Sequence, residues 1–362
     1  MVYIGDRLRS RFLFAAETHP AYAATRRQDR HSRRSDIQMK NRIHAILFAL
    51  LLPMLPLAAI AQDTWPARSI RLIIGFPPGG TVNALARALV PAMGKALGQQ
   101  LIVENRPGAG QSLAAEMLAR AEADGYSVGL IDSGPLTVSP HLKAMNFDPY
   151  KSFTPIGSVA KLPLILVASN ASGIASLQDL IRVAQGKPGS LSYASVGPAS
   201  MHNLTGEYLK SILKLDILHV PYRGAALAAP DVIAGRVALM FSGVSSGAVF
   251  VRDRRVVAVG VTSLKRSVAL PGVPTLAEQG VPGFDSQGWV GLFGPAGVPP
   301  GIVARLNAAL REALKDPALI QQEVVRGGNE MLSGAAEELN TLIASDDVRW
   351  GRIIKEQGIR SE

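Results

Sequence analysis

The chain has 362 residues, 48% hydrophobic and 18% charged, which is enough apolar material for a large core and too little charge for disorder. A net charge of +10 and an isoelectric point near 10.0 would indicate nucleic-acid binding only if the charge formed a stripe. Residues 1–61 contain ten arginine and lysine residues and four aspartate and glutamate residues, a net charge of +6. The remaining residues therefore carry a net charge of only +4. We therefore expect no nucleic-acid partner. The absence of cysteine excludes disulfides, thiolate nucleophiles and zinc–thiolate sites.

The N-terminal part has the features of a secretory signal. Lys40 and Arg42 form a cationic start, residues 43–62 carry no charge, and Ala59-Ile60-Ala61 is a small-x-small cleavage sequence. The alternative is a membrane anchor, but Pro53 and Pro56 and the cleavage sequence favour a cleaved signal peptide over residues 39–61. Residues 1–38 fit neither a leader nor a domain, so we expect a non-native upstream extension. These features predict export to the periplasm.

From residue 69 onward, short apolar runs alternate with helical patterns. Runs rich in Ile, Val and Leu predict strands at residues 70–76, 101–104 and 126–132. Amphipathic stretches predict helices between them, at residues 82–97 and 111–121. Alternation of this kind indicates α/β architecture, with a mostly parallel sheet covered by helices on both faces.

A second set of the same kind follows. Strands are predicted at 164–168, 191–194, 217–220, 237–241 and 256–261, with helices at 177–185, 200–213 and 225–234. After a strand at 289–293 the pattern is helical to the C terminus, so this tail must pack on an existing sheet. We therefore predict two lobes, each with its own mostly parallel sheet flanked by helices. One lobe consists of residues 62–163 with 287–362 and the other of residues 164–286. Ligands of open α/β sheets bind beyond the carboxyl ends of the strands, which places the expected site in the cleft between the lobes.

One glycine-rich loop follows the first predicted strand and opens a helix, Phe76-Pro77-Pro78-Gly79-Gly80-Thr81. Glycines let the backbone approach a ligand, and free amides at a helix N-terminus favour an anion. The alternative is a plain tight turn in which Thr81 caps the helix. No Gly-Lys-Ser/Thr follows, so the loop is not a Walker A motif, and Gly108-Ala109-Gly110 lacks the third glycine of a dinucleotide fingerprint.

Three other strand ends offer polar groups. Residues 195–200 form a small-residue loop before a helix, where Ser200 is either an N-cap or a ligand donor, and His202 is interpreted as a packed or solvated helix residue. Arg223, in Pro221-Tyr222-Arg223-Gly224, is the best-placed cation for a carboxylate, with a solvated surface arginine as the alternative. Ser133 offers a further hydroxyl in the first lobe.

The alternative function is a secreted serine-dependent hydrolase that uses Ser245 or Ser200. Gly243-Val244-Ser245-Ser246-Gly247 matches the hydrolase nucleophile elbow, which requires an acid and then a histidine later in the chain. His141, His202 and His219 all precede Ser245, which counts against this triad. No clustered metal-ligand motif is present, and we expect no metal, no cofactor and no turnover.

The chain from about residue 65 to its end resembles the substrate-binding receptors of tripartite tricarboxylate transporters, often called the Bug family. The resemblance rests on many separate segments in the right order. They include Phe76-Pro77-Pro78-Gly79-Gly80, Val103-Glu104-Asn105-Arg106-Pro107-Gly108-Ala109-Gly110, Ala123-Asp124-Gly125-Tyr126, Val220-Pro221-Tyr222-Arg223-Gly224 and Leu270-Pro271-Gly272-Val273-Pro274-Thr275. It implies a two-lobed, type II-like periplasmic binding protein that takes a small carboxylate to two membrane subunits. We expect a monomer, and both uptake and sensing stay open as its role.

The resemblance also implies which residues bind the ligand, through backbone amides, hydroxyls and bridging waters. The carried-over positions are Phe76, Gly80, Thr81, Ser133, Ser195, Gly197, Ser200, Tyr222 and Gly224, and the predicted set is completed by Gly79, Asn83, Arg223 and Ser242. Asn83 stands where the family usually has Asp, which suits a more anionic ligand or one without an amino group. Ala225 and Ala226 replace glycines, Ser242 stands where Asp is common, and Arg254 replaces a glycine. The departures at Asn83, at Ala225 with Ala226, and at Ser242 are expected to alter the lining of the cleft.

Overall fold

The computed structural model describes residues 65–360. The predicted upstream extension and signal peptide lie outside these residues. Within the described part, no helix is long and apolar enough to cross a membrane. The fold is α/β, as predicted, and its strands form one mixed ten-stranded sheet.

The sheet has two parallel wings. β1 (Ile70–Ile74) pairs in parallel with β2 (Leu101–Asn105) and β3 (Ser127–Asp132). β5 (Leu191–Ser195) pairs in parallel with β6 (Ile217–Pro221) and β7 (Leu239–Gly243). Each wing matches the mostly parallel arrangement that the strand–helix alternation predicts.

The centre of the sheet is antiparallel, which differs from that expectation. From Phe153 to Pro163, the long strand β4 (Phe153–Ser169) pairs antiparallel with β9 (Gln287–Pro295). Strand β9 also pairs antiparallel with β3. From Leu164 onward β4 pairs antiparallel with β7 and with β8 (Val256–Val261). The short β10 (Glu330–Met331) pairs with the first part of β4. One long strand is thus shared by both halves of the sheet.

The sequence analysis did not predict the first part of β4 as a strand, and the reason is physical. Pro155, Gly157 and Pro163 fall within it, and proline and glycine normally argue against a strand interior. The pairing with β9 shifts register between Pro155 and Gly157 and again between Ser158 and Ala160. Such irregularities accommodate residues that a regular ladder rejects.

Helices cover both faces of the sheet. The first helix, α1, buries Val82, Leu85, Leu89, Met93 and Leu97 at helical spacing and ends at Gly98, which has a φ of 71°. The α-helices in chain order are α1 (Thr81–Leu97), α2 (Ser112–Ala119), α3 (Ser139–Leu142), α4 (Leu177–Gly186), α5 (Met201–Leu213), α6 (Ala225–Ile233), α7 (Val244–Arg252), α8 (Pro300–Ala313), α9 (Pro317–Ile320) and α10 (Ala336–Glu356). Short 3-10 or π turns occupy Ala109–Gln111, Gly134–Val138, Asn170–Ser172 and Gln321–Arg326.

Helix α7 begins in a glycine- and serine-rich segment, a composition that by itself favours a loop. Val244, Gly247 and Ala248 are buried at the spacing of one helical face. A Cβ at Gly247 would lie 2.7 Å from Ile165 Cγ2 of β4, so the small residue allows the helix to pack closely on the sheet. Tertiary packing therefore decides a segment whose composition alone indicates a loop.

Candidate ligand-binding cavity

The loop 76–81 meets two loops from the other half of the sheet. A Cβ at Gly224 would overlap the Pro77 ring, coming within 2.6 Å of its Cδ, and a Cβ at Gly79 would lie 3.3 Å from Ala226 Cβ. Thr81 Oγ1 lies 3.3 Å from Ser246 Oγ at the start of α7. Gly80, and not Thr81, is the N-cap of α1, so the proposed capping role of Thr81 is wrong.

The loop 195–200 meets a loop that follows β2. Gly197 has a φ of 120°, and its added Cβ would lie 3.3 Å from Gly110 N. A Cβ at Gly110 would lie 2.5 Å from the Pro198 carbonyl oxygen. Gly110 thus permits close contact between two loops, a role that differs from phosphate binding.

The hydroxyls of the 195–200 loop bond within the protein. Ser195 Oγ lies 2.7 Å from His219 Nε2 and accepts a hydrogen bond from Gly197 N at 3.1 Å. Ser200 Oγ donates to the Gly197 carbonyl oxygen at 2.6 Å and accepts from Asn203 N at 3.2 Å, which makes it the N-cap of α5. Of the two roles weighed for Ser200, the structure shows the cap.

The loop 221–224 directs its larger side chains elsewhere. Tyr222 Oη donates to Asp231 Oδ2 at 2.5 Å, and Arg223 is exposed. Neither side chain lines the cavity described below. Gly224 is the N-cap of α6, with extended backbone and no side-chain cap.

These loops surround a cavity of about 30 Å³. The lining of the cavity comes from the carboxyl ends of strands in both wings, from helix N-termini and from the middle of β4. The lining residues are Phe76, Pro77, Gly80, Thr81, Val82, Asp132, Leu162, Leu164, Val196, Met201, His202, Ala225, Gly243, Ser246 and Gly288.

Only some of the predicted ligand-binding residues line this cavity. Phe76, Gly80 and Thr81 line it. Ser133 is fully buried beside it, since its Oγ lies 3.5 Å from where a Cβ on the lining residue Gly288 would be. Gly79, Ser195, Gly197, Ser200, Gly224 and Ser242 shape the surrounding loops without appearing in the lining. Ser242 Oγ lies 2.9 Å from Oγ of the lining residue Ser246.

Asn83 is buried behind the first loop. Its Oδ1 accepts a hydrogen bond at 3.0 Å from Asn105 Nδ2, which also donates to the Phe76 carbonyl oxygen at 2.7 Å. Asn83 therefore supports the loop through Asn105. Of the three departures from the family that were expected to change the lining, Ala225 is the one found in it.

Three helices begin at glycines around this cavity, and none has a side-chain cap. Gly80 and Gly243 line the cavity as N-caps of α1 and α7, and Gly224 precedes the lining residue Ala225 as N-cap of α6. The first amides of a helix lack intrahelical partners and carry partial positive charge. Their convergence provides an environment for an anion without a cationic side chain.

Two titratable residues of the lining were not among the predicted site residues. Burial raises the pKa of Asp132 to about 7, while the Gln111 side chain and the Gly134 amide act in the opposite direction. Burial lowers the pKa of His202 to about 4, and its Nδ1 has no hydrogen-bond partner within the described part. The available sequence signals were the strand-end position of Asp132 and the place of His202 in the first turn of α5.

The described residues contain no cluster of three or more His, Asp or Glu side chains that could hold a metal ion. His219 Nε2 lies 2.7 Å from Ser195 Oγ, and His141 Nε2 lies 2.7 Å from Asp347 Oδ1. Ser245 of the supposed nucleophile elbow lies in the first turn of α7, a helix packed on β4.

The mixed α/β sheet and the cavity between loops of its two wings are consistent with a solute-binding protein. The solved structure of the periplasmic binding protein BugD agrees, with a TM-score of 0.79 and 30% identity over 82% of this chain and 99% of that one. MatC from Rhodopseudomonas palustris with bound malate has a TM-score of 0.77 and 29% identity, covering 80% and 100% of the two chains. The fold is that of periplasmic binding proteins, as the sequence resemblance implied.

Residues 85–359 match the family model described as tripartite tricarboxylate transporter family receptor, and the chain belongs to this family. The UPF0065 protein of the tcbD-tcbE intergenic region of Pseudomonas sp. strain P51 is 36% identical over 315 residues, covering 86% of this chain and 93% of that protein. Members of the family are receptors for transport and not enzymes, so the hydrolase alternative has no support.

Proposed function

We propose that this receptor binds a small organic carboxylate in the cavity between the loops and passes it to the membrane subunits of a tripartite transporter. The observation that carries the proposal is the convergence of uncapped helix N-termini at Gly80, Gly224 and Gly243 around one buried cavity. The bound malate of the related MatC supports the same ligand class.

The proposal includes a cellular setting and a mode of closure. The receptor acts as a periplasmic monomer after removal of the signal peptide at residues 39–61. Residues 62–163 with 287–362 form one lobe and residues 164–286 the other, and the change of partners along β4 at Leu164 supports this boundary. A ligand that contacts both lobes binds their closed arrangement better and so favours closure.

A thermal-shift screen against di- and tricarboxylates, amino acids and aromatic acids tests the ligand class. A ligand that binds only the folded protein at 100 times its Kd adds about 2.7 kcal/mol to the free energy of unfolding, so the melting temperature rises. We expect at least one carboxylate, and none of the corresponding uncharged amides, to give this shift. No shift with any acid would refute the proposed function, and esterase turnover that is lost in Ser245→Ala would in addition indicate a hydrolase.

Ser133→Ala separates ligand binding from folding. Ser133 is fully buried and its Oγ has no hydrogen-bond partner within the described part, so its removal leaves stability within about 1 kcal/mol of the original. If the hydroxyl contacts the ligand, affinity measured by calorimetry falls roughly fivefold. Ser200→Ala is the matched control: it removes the cap of α5 and costs about 1 kcal/mol of stability. Unchanged affinity in Ser133→Ala excludes this hydroxyl from the site.

A further inference from the structure

The charge of the cavity is unusual for a carboxylate site. Asp132 and His202 are its two titratable lining residues, and no arginine or lysine is found among the lining side chains of the described chain. Asp132 is 4% exposed and His202 is 8% exposed. A ligand carboxylate in this cavity would therefore share a buried space with another carboxyl group.

The surroundings of Asp132 do not neutralise it. Its Oδ1 accepts a hydrogen bond from Gly134 N at 3.0 Å, and the neutral Gln111 side chain also interacts with it. Its partner across the sheet on β9 is Val290, and α5 presents His202 to the same cavity. Lys143, near the loop that holds Gln111, donates to the Ala109 carbonyl oxygen. Among these elements no cationic group is paired with Asp132.

Two ionised carboxylates in one buried space repel each other and lose hydration, so one of them takes up a proton. Resting on the proposed function, we propose that Asp132 enters the complex as the neutral acid and donates a hydrogen bond to the ligand carboxylate, so that the receptor takes up one proton with each ligand. The proton comes from solvent and resides on the Asp132 carboxyl group. No bond other than this O–H forms.

The sign of the pH dependence follows from the unliganded protein. Burial raises the pKa of Asp132 to about 7, so the group is mostly neutral below pH 7 and mostly ionised above it. An anionic ligand that requires the neutral acid therefore binds more tightly as the pH falls. Titration of His202 in the unliganded protein does not cause this pH dependence. Burial lowers the pKa of His202 to about 4, so its side chain is already neutral near pH 7.

Calorimetry with malate and with succinate tests the inference at pH 6.5 and pH 8.5, where both acids are ionised. For a group that titrates near pH 7, affinity is expected to be roughly 25-fold higher at pH 6.5 than at pH 8.5. Repeating the titrations near pH 8 in two buffers of different ionisation enthalpy counts protons, and we expect uptake of about one per ligand. This result needs no variant, so it does not depend on whether a variant folds.

Asp132→Asn mimics the neutral acid, since its amide still accepts from Gly134 N and offers a donor to the ligand. This variant should bind with the same affinity at both pH values and take up no proton. Asp253→Asn is the control, because Asp253 is exposed and outside the cavity lining. The control should keep the full pH dependence.

Each other outcome has a distinct meaning. Binding that is independent of pH and buffer overturns the inference and leaves the carboxylate receptor intact. Loss of malate binding in Asp132→Asn, with malate preferred to succinate, shows instead that ionised Asp132 accepts from the ligand hydroxyl. Proton uptake that persists in Asp132→Asn and disappears in His202→Gln assigns the proton to His202. Failure of every acid in the earlier screen to bind refutes the proposed function and this inference together.

Discussion

Gly80→Val is expected to lower the affinity for a carboxylate roughly a hundredfold, about 2.7 kcal/mol, while the protein stays folded. Gly80 has a φ of −86° and a ψ of 165°, which any residue adopts. A Cβ there would lie 3.9 Å from the nearest atom outside its chain neighbours, the Pro77 carbonyl oxygen, so the fold accommodates it. The added branches occupy a position in the cavity lining, at the N-terminus that offers amides to the anion.

The control for this change is Gly301→Val. Gly301 is exposed in the first turn of α8, and a Cβ there would meet no atom within 4 Å. This variant should bind as the unmodified protein does in the same calorimetric titration. Wild-type affinity in Gly80→Val, with both variants folded by circular dichroism, would remove the first loop from the binding site.

Gly224→Ala is expected to weaken binding roughly 30-fold, about 2 kcal/mol, by forcing two loops apart. The φ of Gly224 is 167°, so alanine fits the backbone without strain. Its Cβ would nevertheless overlap the Pro77 ring, reaching within 2.6 Å of Pro77 Cδ. The overlap separates the loop after β1 from the loop after β6, and a ligand held by both loops then loses contacts.

Pro77→Ala provides a rescue, because it removes the ring atoms that the new methyl group would meet. The single variant Pro77→Ala should bind within about threefold of the original, and the double variant should recover most of the affinity lost in Gly224→Ala. Calorimetric titration of all four proteins completes the double-mutant cycle. Additive effects would show that the loops move independently and that the contact between Pro77 and Gly224 has no part in binding.

The sequence located the loops around the cavity more reliably than the side chains that line it. Gly80 and Thr81 line the cavity, as expected of a glycine-rich turn between a strand and a helix. Arg223 was selected because guanidinium binds carboxylates, yet its side chain is exposed and not in the lining. Residue type indicates which chemistry is available, but the direction of a loop side chain depends on packing that the local sequence does not encode.

Asp132 and His202 are lining residues that the sequence analysis did not select. Each stands at a position that the sequence marks, one at the end of β3 and the other in the first turn of α5. Their burial in a shared cavity arises only when loops of both halves of the sheet come together. The shift of each pKa follows from that burial, so it too depends on the tertiary structure.

By itself, the sequence determined the α/β class, the two parallel wings and the strand ends that lie around the cavity. Hydrophobic periodicity and glycine placement carry this information locally, and the many matching segments carried the family. Only the tertiary structure decided that β4 joins the wings antiparallel and that Ser200 caps a helix. It also decided that the first loop approaches Gly224 and Ser246, because such contacts join residues more than 140 positions apart, beyond the reach of any local pattern.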